Sequence, residues 1–323
     1  MNIKELEKEL LSYGVENPRE EALIIIERLF NKSRAALMLE GEIDFSSPEL
    51  YELLKKRREH IPLQYILGSW EFMGKEFCVS PDCLIPRPDT EILVEKALEI
   101  LKKGEDVAKN AKCKMQNAKL MSQDVIPSGA EESMGLSNSF CPSTEGVETS
   151  KRACDVADLC TGSGCIGLSL LMYSDIDSLT LMDIFEGALN MAMKNAQRHN
   201  LQSRCQFILG DITKDMPKRK FDMIVSNPPY IPSTDIEGLS CEVKKEPILA
   251  LDGGEDGLDI IRFLIGEGLT FLKENGCMLI EFGYDQGDVM DTLLREKCDT
   301  GSIKSYEILY DYGKNPRVAV IYK

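Results

Sequence analysis

In roughly the first 68 residues, apolar positions recur at helical spacing. Asn2 stands where a helix would be capped, with Ile3, Leu6, Leu10 and Leu11 on one face and Gly14 as the stop. Asn17-Pro18-Arg19-Glu20 opens a second helix carrying Leu23, Ile24, Ile26, Leu29 and Phe30. Ser33 opens a third, through Leu37 and Leu39. Ser47-Pro48-Glu49 opens a fourth, with Leu50, Leu53 and Leu54. The pattern predicts a small helical bundle over residues 1–70, its apolar stripes packed on one another. Residues 71–90 change period. Phe72, Phe77 and Val79 around Gly74 predict a short hairpin. Ile85-Pro86-Arg87-Pro88-Asp89-Thr90-Glu91 reads as an extended linker. Asp89 or Thr90 then caps a helix containing Ile92, Leu93, Ala97, Leu98 and Leu101.

From Asp155 onward strands and helices alternate. Strands are predicted at Val156–Leu159, Leu179–Asp183, Cys205–Leu209, Phe221–Ser226 and Gly276–Phe282, with late strands at Tyr306–Tyr310 and Arg317–Tyr322. Helices are predicted at Cys165–Tyr173, Gly187–Asn200, Gly257–Leu272 and Gln286–Lys297. This alternation implies an α/β fold with a mostly parallel sheet covered on both faces, closed at one edge by an antiparallel pair. Residues 104–151 break the pattern. They are rich in Ser, Lys, Glu, Gly and Asn, lack a period, and read as a long insertion in a domain spanning 91–323.

One stretch organises the rest. Phe221, Met223, Ile224 and Val225 make a buried strand that runs into Asn227-Pro228-Pro229-Tyr230. Two prolines without N–H groups end the strand in a stiff turn at its carboxyl end, the edge where open α/β sheets bind ligands. Asn227 offers a carbonyl acceptor, the local backbone is rich in acceptors and poor in donors, and Tyr230 adds a flat face. Such a site suits a planar NH2 group.

A second signal joins the first strand to its helix: Asp158-Leu159-Cys160-Thr161-Gly162-Ser163-Gly164-Cys165-Ile166-Gly167. Gly162 and Gly164 permit a tight turn and a close approach to a ligand. Asp183 ends the second strand, where a carboxylate can accept both ribose hydroxyls. Asp211, in Gly210-Asp211-Ile212, ends the third and is placed to bond an adenine amino group. The same glycines satisfy the dinucleotide pattern GxGxxG. Against that reading, Asp158 is poor company for a pyrophosphate and a good partner for an α-ammonium group, and no hydride-site His or Lys stands out. Adenosine joined to an amino acid, S-adenosylmethionine, fits better.

Composition narrows the field. A net charge of −16 over 323 residues opposes long contacts to nucleic-acid backbone. The 11 cysteines are odd in number and form no CxxC pair; Cys78, Cys83, Cys160, Cys165 and Cys277 lie in apolar or glycine-rich segments, as reduced thiols do. Two histidines, His60 and His199, make a histidine metal site improbable. The dense basic run Lys55-Lys56-Arg57-Arg58 reads first as a solvated helix face. The N-terminus is an amphipathic helix rather than a signal peptide, no apolar run approaches membrane-spanning length, and the cytoplasm is the expected location.

Taken together these motifs resemble the class I methyltransferases, and more narrowly the release-factor glutamine N5-methyltransferases. The likeness rests on the helical start, the linker 85–91, the glycine loop and Asn227-Pro228-Pro229-Tyr230. It extends through Glu246-Pro247, Glu281-Phe282-Gly283 and Asp311-Tyr312-Gly313-Lys314-Asn315-Pro316-Arg317. The tetrad alone says only that a planar nitrogen is methylated, since adenine and guanine amino methyltransferases share it. The resemblance implies a Rossmann-like fold and S-adenosylmethionine held by Asp158, Cys160, Thr161, Gly162, Ser163, Gly164, Asp183, Asp211, Ile212 and Asn227. It implies a protein substrate, the glutamine of a Gly-Gly-Gln loop in peptide chain release factors, docked by the helical domain and the linker. The target amide is expected to be gripped by Asn227, Pro228, Pro229 and Tyr230, with the Asn227 side-chain oxygen and the Pro228 carbonyl as its acceptors. A ribosomal-protein glutamine methyltransferase and a nucleic-acid amino methyltransferase are the alternatives. Two departures stand out: Cys160 replaces a usual glycine, where a small side chain fits at negative φ, and the 104–151 insertion exceeds the usual connection.

Overall fold

The computed structural model describes residues 1–32, 34, 35, 44–103 and 154–323. The insertion lies outside these residues, as does most of the helix expected from Ser33. At the N-terminus, helices α1 (Ile3–Ser12), α2 (Pro18–Phe30), α3 (Pro48–Arg58) and α4 (Leu63–Leu67) bury Leu6, Leu10, Ile25, Ile26, Leu53 and Leu54 against one another. Asn2 forms a capping box with Glu5, and Ser47 accepts from the Leu50 N–H at 3.1 Å. Asn17 makes no side-chain cap; Pro18 alone sets the start of α2.

Strands β1 (Ser69–Phe72) and β2 (Lys75–Cys78) form an antiparallel hairpin. Its two turn residues, Met73 and Gly74, both have positive φ (51° and 66°), the twist that suits a tight hairpin. Glu76 on β2 pairs with Arg28 of the bundle and with Arg198 of the main domain, so the hairpin bridges the two.

A helix, α5, covers residues 91–103. The remaining elements are β3 (Asp155–Leu159), α6 (Cys165–Tyr173), β4 (Ser178–Asp183), α7 (Glu186–Arg198), β5 (Cys205–Leu209) and β6 (Phe221–Ser226). They continue with α8 (Asp259–Ile265), β7 (Leu272–Glu281), α9 (Gly287–Asp299), β8 (Ser305–Tyr310) and β9 (Pro316–Tyr322). The seven-stranded sheet runs β5-β4-β3-β6-β7-β9-β8, parallel throughout β5 to β7 and antiparallel at β9 and β8. Alternate strand residues feed two cores. Val156, Leu181, Val225 and Leu279 face α5, α6 and α7, while Ala157, Met182, Ile224 and Ile280 face α8 and α9. The strand order reverses at β3 and β6, which places a crevice at their carboxyl ends.

The helix expected over Gly257–Leu272 is shorter. Gly266, at φ −102° and ψ −102°, ends α8 after Ile265; a tight helical turn follows, and Leu272 enters β7 opposite Phe221. Burial of Leu272 in the core between the sheet and the helices α8 and α9 wins over its helical spacing. The basic run also divides. Lys55, Lys56 and Arg58 are exposed, but Arg57 is 1 % exposed and bonds Glu21 at 2.6 Å and Glu242 at 2.8 Å. One buried guanidinium therefore ties the bundle to the segment that follows the Asn-Pro turn.

Candidate active site

The glycine loop is held from below and from the side. Asp158 Oδ2 accepts from the Thr161 hydroxyl at 2.7 Å and from the Gly167 N–H at 2.9 Å. Gly167 is needed there, since a Cβ would stand 2.9 Å from the Asp158 carboxylate. Gly164 begins α6 at φ +79°, where an added Cβ would press on Leu168 and Ala192 at 3.0 and 3.1 Å. The side chain of Asn195 on α7 donates to the Ser163 carbonyl at 2.8 Å and to the Cys78 carbonyl at 3.0 Å, joining loop to hairpin. Across the crevice the Ser226 hydroxyl donates to the Leu159 carbonyl at 2.7 Å, so β3 and β6 end in register.

A cavity of about 230 Å³ opens over this junction. Cys160, Thr161, Gly162 and Ser163 form its floor, Asp183 and Asp211 its flank, and Asn227 and Pro229 its far wall. Phe185, Ile212 and Leu249 supply apolar surface, and Arg87 and Thr90 of the linker roof it. Asp183 is nearly buried. Its oxygens accept from the Gly162 N–H at 2.9 Å and the Phe185 N–H at 3.0 Å, and burial raises its pKa against those bonds. Each oxygen keeps a lone pair for a further donor.

The turn after β6 is clamped on its far side. The Ile231 N–H donates to the Leu251 carbonyl and the Gly253 N–H to the Ile231 carbonyl, both at 2.9 Å. Gln286 donates to the Tyr230 carbonyl at 2.9 Å. Gly257 lies so close that a Cβ would fall 2.2 Å from the Tyr230 carbonyl oxygen, and its φ is +75°. Gly257→Ala therefore destabilises the fold by about 2 kcal/mol or more, read as a lowered Tm, because backbone atoms cannot yield as a flexible side chain can.

Residues 3–68 match the PrmC N-terminal domain family, and residues 145–239 match the methyltransferase small domain family. The release factor glutamine methyltransferase of Moorella thermoacetica is 32% identical over 319 residues, which is 98% of this chain and 95% of that protein. The chain belongs to the release factor glutamine methyltransferase family. The Aquifex aeolicus member is 32% identical over 316 residues (97% and 94% of the two chains), and the Coxiella burnetii member 32% over 301 residues (91% of each). The sheet is accordingly that of a class I methyltransferase, and S-adenosylmethionine is the cofactor of this family fold.

The residues present fit that cofactor. Nothing lies within 4 Å of a Cβ built at Gly162, so the loop backbone faces open space. Asp183 stands beside it with lone pairs to spare, and Asp158 Oδ1 is buried without a partner. Some expected roles shift within this family frame. Asp158 does not line the cavity; it is fully buried one layer down, and burial pushes its pKa up to about 7. Its Oδ2 bonds are to the loop, through the Thr161 hydroxyl and the Gly167 N–H. Gly164, Pro228 and Tyr230 are likewise not among the residues that line this cavity. Asp211 reaches the rim, but its carboxylate is engaged by Lys214 at 2.7 Å and by the Thr213 hydroxyl at 2.7 Å, which together hold its pKa down at about 2. An adenine amino group would have to compete with that turn for the carboxylate, and Ile212 beside it adds apolar surface to the cavity.

Cys160 sits at φ +57°, in the left-handed region, not at the negative φ expected for a side chain there. Its thiol is pushed well up by burial, so it is a neutral wall group and not a thiolate. Sequence reasoning missed Thr90 as a site residue. Its sequence position suits a helix cap, whereas in the fold its hydroxyl accepts from the Asn227 side-chain NH2 at 3.3 Å. It also missed what Glu246 does. This buried carboxylate accepts from the Ile85 N–H at 3.0 Å and pairs with Arg87, clamping the linker over the crevice.

Proposed function

We propose that this protein transfers a methyl group from S-adenosylmethionine to N5 of the glutamine side chain in the Gly-Gly-Gln loop of peptide chain release factors. The observation that carries the reading is Asn227. It lines the cavity beside the glycine loop, with its NH2 tethered to Thr90 and its carbonyl oxygen not used in that bond.

A glutamine amide nitrogen is a weak nucleophile because its lone pair is delocalised into the carbonyl. When bound, the cofactor supplies an already activated sulfonium methyl. The protein's work is then orientation. The Asn227 oxygen and the Pro228 carbonyl accept the two amide hydrogens, turn the nitrogen lone pair toward the methyl, and stabilise positive charge as it develops on nitrogen. Tyr230 and Pro229 confine the amide plane. The amide forms the N–C bond as the C–S bond breaks, and it releases one proton to solvent. Orientation of this kind lowers a barrier by at most about 7–11 kcal/mol. The helical bundle and the clamped linker are the surfaces assigned to docking the release factor.

The test is mass spectrometry of the Gly-Gly-Gln peptide after incubation of release factor, cofactor and enzyme. One added methyl on that glutamine is expected. Methyl incorporation into tRNA, rRNA or a ribosomal protein, with none into release factor, rejects the proposal.

A further inference from the structure

A buried carboxyl stands directly behind the tetrad. Glu281 ends β7 and is 1 % exposed. The Tyr230 hydroxyl donates to its Oε1 at 3.4 Å, and its Oε2 is buried without a hydrogen-bond partner. The groups that face it are Asp89 and Thr90 from the linker, Tyr230, Arg317 from β9 and Cys165 from α6, with Arg87 beyond Tyr230. Arg317 is engaged elsewhere, with Asp311 at 3.1 Å and Asp89 at 3.6 Å. Thr90 is 2 % exposed, and its Oγ1 accepts from Asn227. A hydroxyl that accepts one hydrogen still has its own to give; the Glu281 carboxylate stands beside it, not joined to it by a hydrogen bond in this structure, with its buried Oε2 still without a donor.

We propose that Thr90 and Glu281 are positioning residues for the methyl transfer: the carboxylate draws the Thr90 hydrogen toward itself, so that Thr90 offers Asn227 only lone pairs. Asn227 must then turn its NH2 to Thr90 and its carbonyl oxygen to the substrate amide. The same carboxylate takes the Tyr230 hydroxyl hydrogen, so one anion orients two members of the tetrad. The inference rests on the reading that Asn227 grips the substrate amide. It also gives the linker a chemical role beyond docking, since Thr90 belongs to it.

Ionisation matters to this arrangement. A protonated Glu281 becomes a donor toward Thr90. The Thr90 hydrogen then turns to Asn227, and the Asn227 oxygen is lost to the substrate. Burial pushes the Glu281 pKa up to about 7, against the Thr90 hydroxyl, the Arg317 charge and the Tyr230 hydroxyl, which favour the anion. Turnover at saturating cofactor therefore falls as pH drops through that value. Asp158 titrates in the same range, but it lies under the cofactor loop, so its effect belongs to cofactor affinity.

The experiment uses the full chain with release factor and saturating S-adenosylmethionine. Thr90→Val is expected to lower kcat by up to about 100-fold with cofactor affinity unchanged. Thr90→Ser restores the hydroxyl and most of the rate, which a purely packing role for the methyl group would not predict. Glu281→Gln loses the acidic limb of the kcat profile. Wild-type turnover in Thr90→Val, failure of Thr90→Ser to recover, or an unchanged acidic limb in Glu281→Gln overturns the inference. Should Glu281→Gln fail to fold, the Thr90 pair decides alone. An inactive Asn227→Ala beside a fully active Thr90→Val rejects only this inference, whereas an active Asn227→Ala rejects the reading beneath it.

Discussion

Asn227→Ala removes methyl transfer while S-adenosylhomocysteine binds as tightly as to the wild type. The side-chain oxygen is one of two acceptors assigned to the target amide, and the second, the Pro228 carbonyl, belongs to the backbone and survives the change. With one acceptor the amide can rotate, and its lone pair no longer dwells on the line to the methyl. Loss of one preorganised polar contact to developing charge typically costs about 10²–10³ in kcat, some 2.7–4 kcal/mol. Here the same group also fixes orientation, so the loss lies at the upper end. The fold should tolerate the change: Asn227 is only half-buried, β6 ends before it, and the turn is held by the Ile231–Leu251 and Gly253–Ile231 bonds. Single-turnover kinetics with release factor, paired with calorimetric titration of S-adenosylhomocysteine, separates the two quantities. Equal loss of both would show that Asn227 holds the cofactor and not the substrate.

How much of this site the chain announced depends on where its chemistry lies. Elements with strong local patterns were legible: the apolar runs of β3, β4 and β6, the glycine loop, and the tetrad with its two prolines. Each owes its form to neighbours in sequence, through period, backbone freedom or a missing N–H. The parts that escaped are long-range. Thr90 lies 137 positions from Asn227 in the chain, and a threonine before a helix looks like a cap. Arg57 sits in a run of four cations and gives no local sign that it alone is buried, because its partners Glu21 and Glu242 come from other elements. The Asp252–Gly257 stretch holds three glycines, and nothing in their order shows that Gly253 and Gly257 press against the Pro229 and Tyr230 backbone.

Electrostatic roles were the least legible. Asp158, Asp183 and Asp211 all end parallel strands or lie near those ends, and sequence gives them equal standing as ligand contacts. The fold separates them by depth. Asp158 is covered by Gly167 and bonded to the glycine loop, Asp211 lines the rim with its carboxylate drawn to Lys214 and Thr213, and Asp183 lines the cavity beside Gly162, whose N–H it accepts. Strand-end position identifies which residues are near the crevice. Which of them face it depends on the parity of each strand and on the local turn that follows.

That ordering makes Asp183→Ala the change with the largest effect on cofactor affinity. The carboxylate does two things that alanine cannot: it accepts the Gly162 N–H, which helps set the loop, and, in the proposed assignment, it keeps lone pairs for the two ribose hydroxyls. Hydrogen bonds to a charged acceptor are worth about 1.5–3 kcal/mol each. Since water competes for the same hydroxyls in the free cofactor, a net loss of roughly 3 kcal/mol is expected, about a hundredfold in Kd. Stability should move less, because burial already disfavours this anion in the folded chain. Asp183→Asn keeps one acceptor oxygen and should fall between. Titration with S-adenosylhomocysteine measures both variants directly. At saturating cofactor Asp183→Asn should recover much of its kcat, where Asn227→Ala recovers none, because one change acts on ground-state binding and the other on the geometry of attack. If Asp183→Ala bound the cofactor as the wild type does, the ribose would have to lie elsewhere in the cavity, and the assignment of the glycine loop as its floor would fall with it.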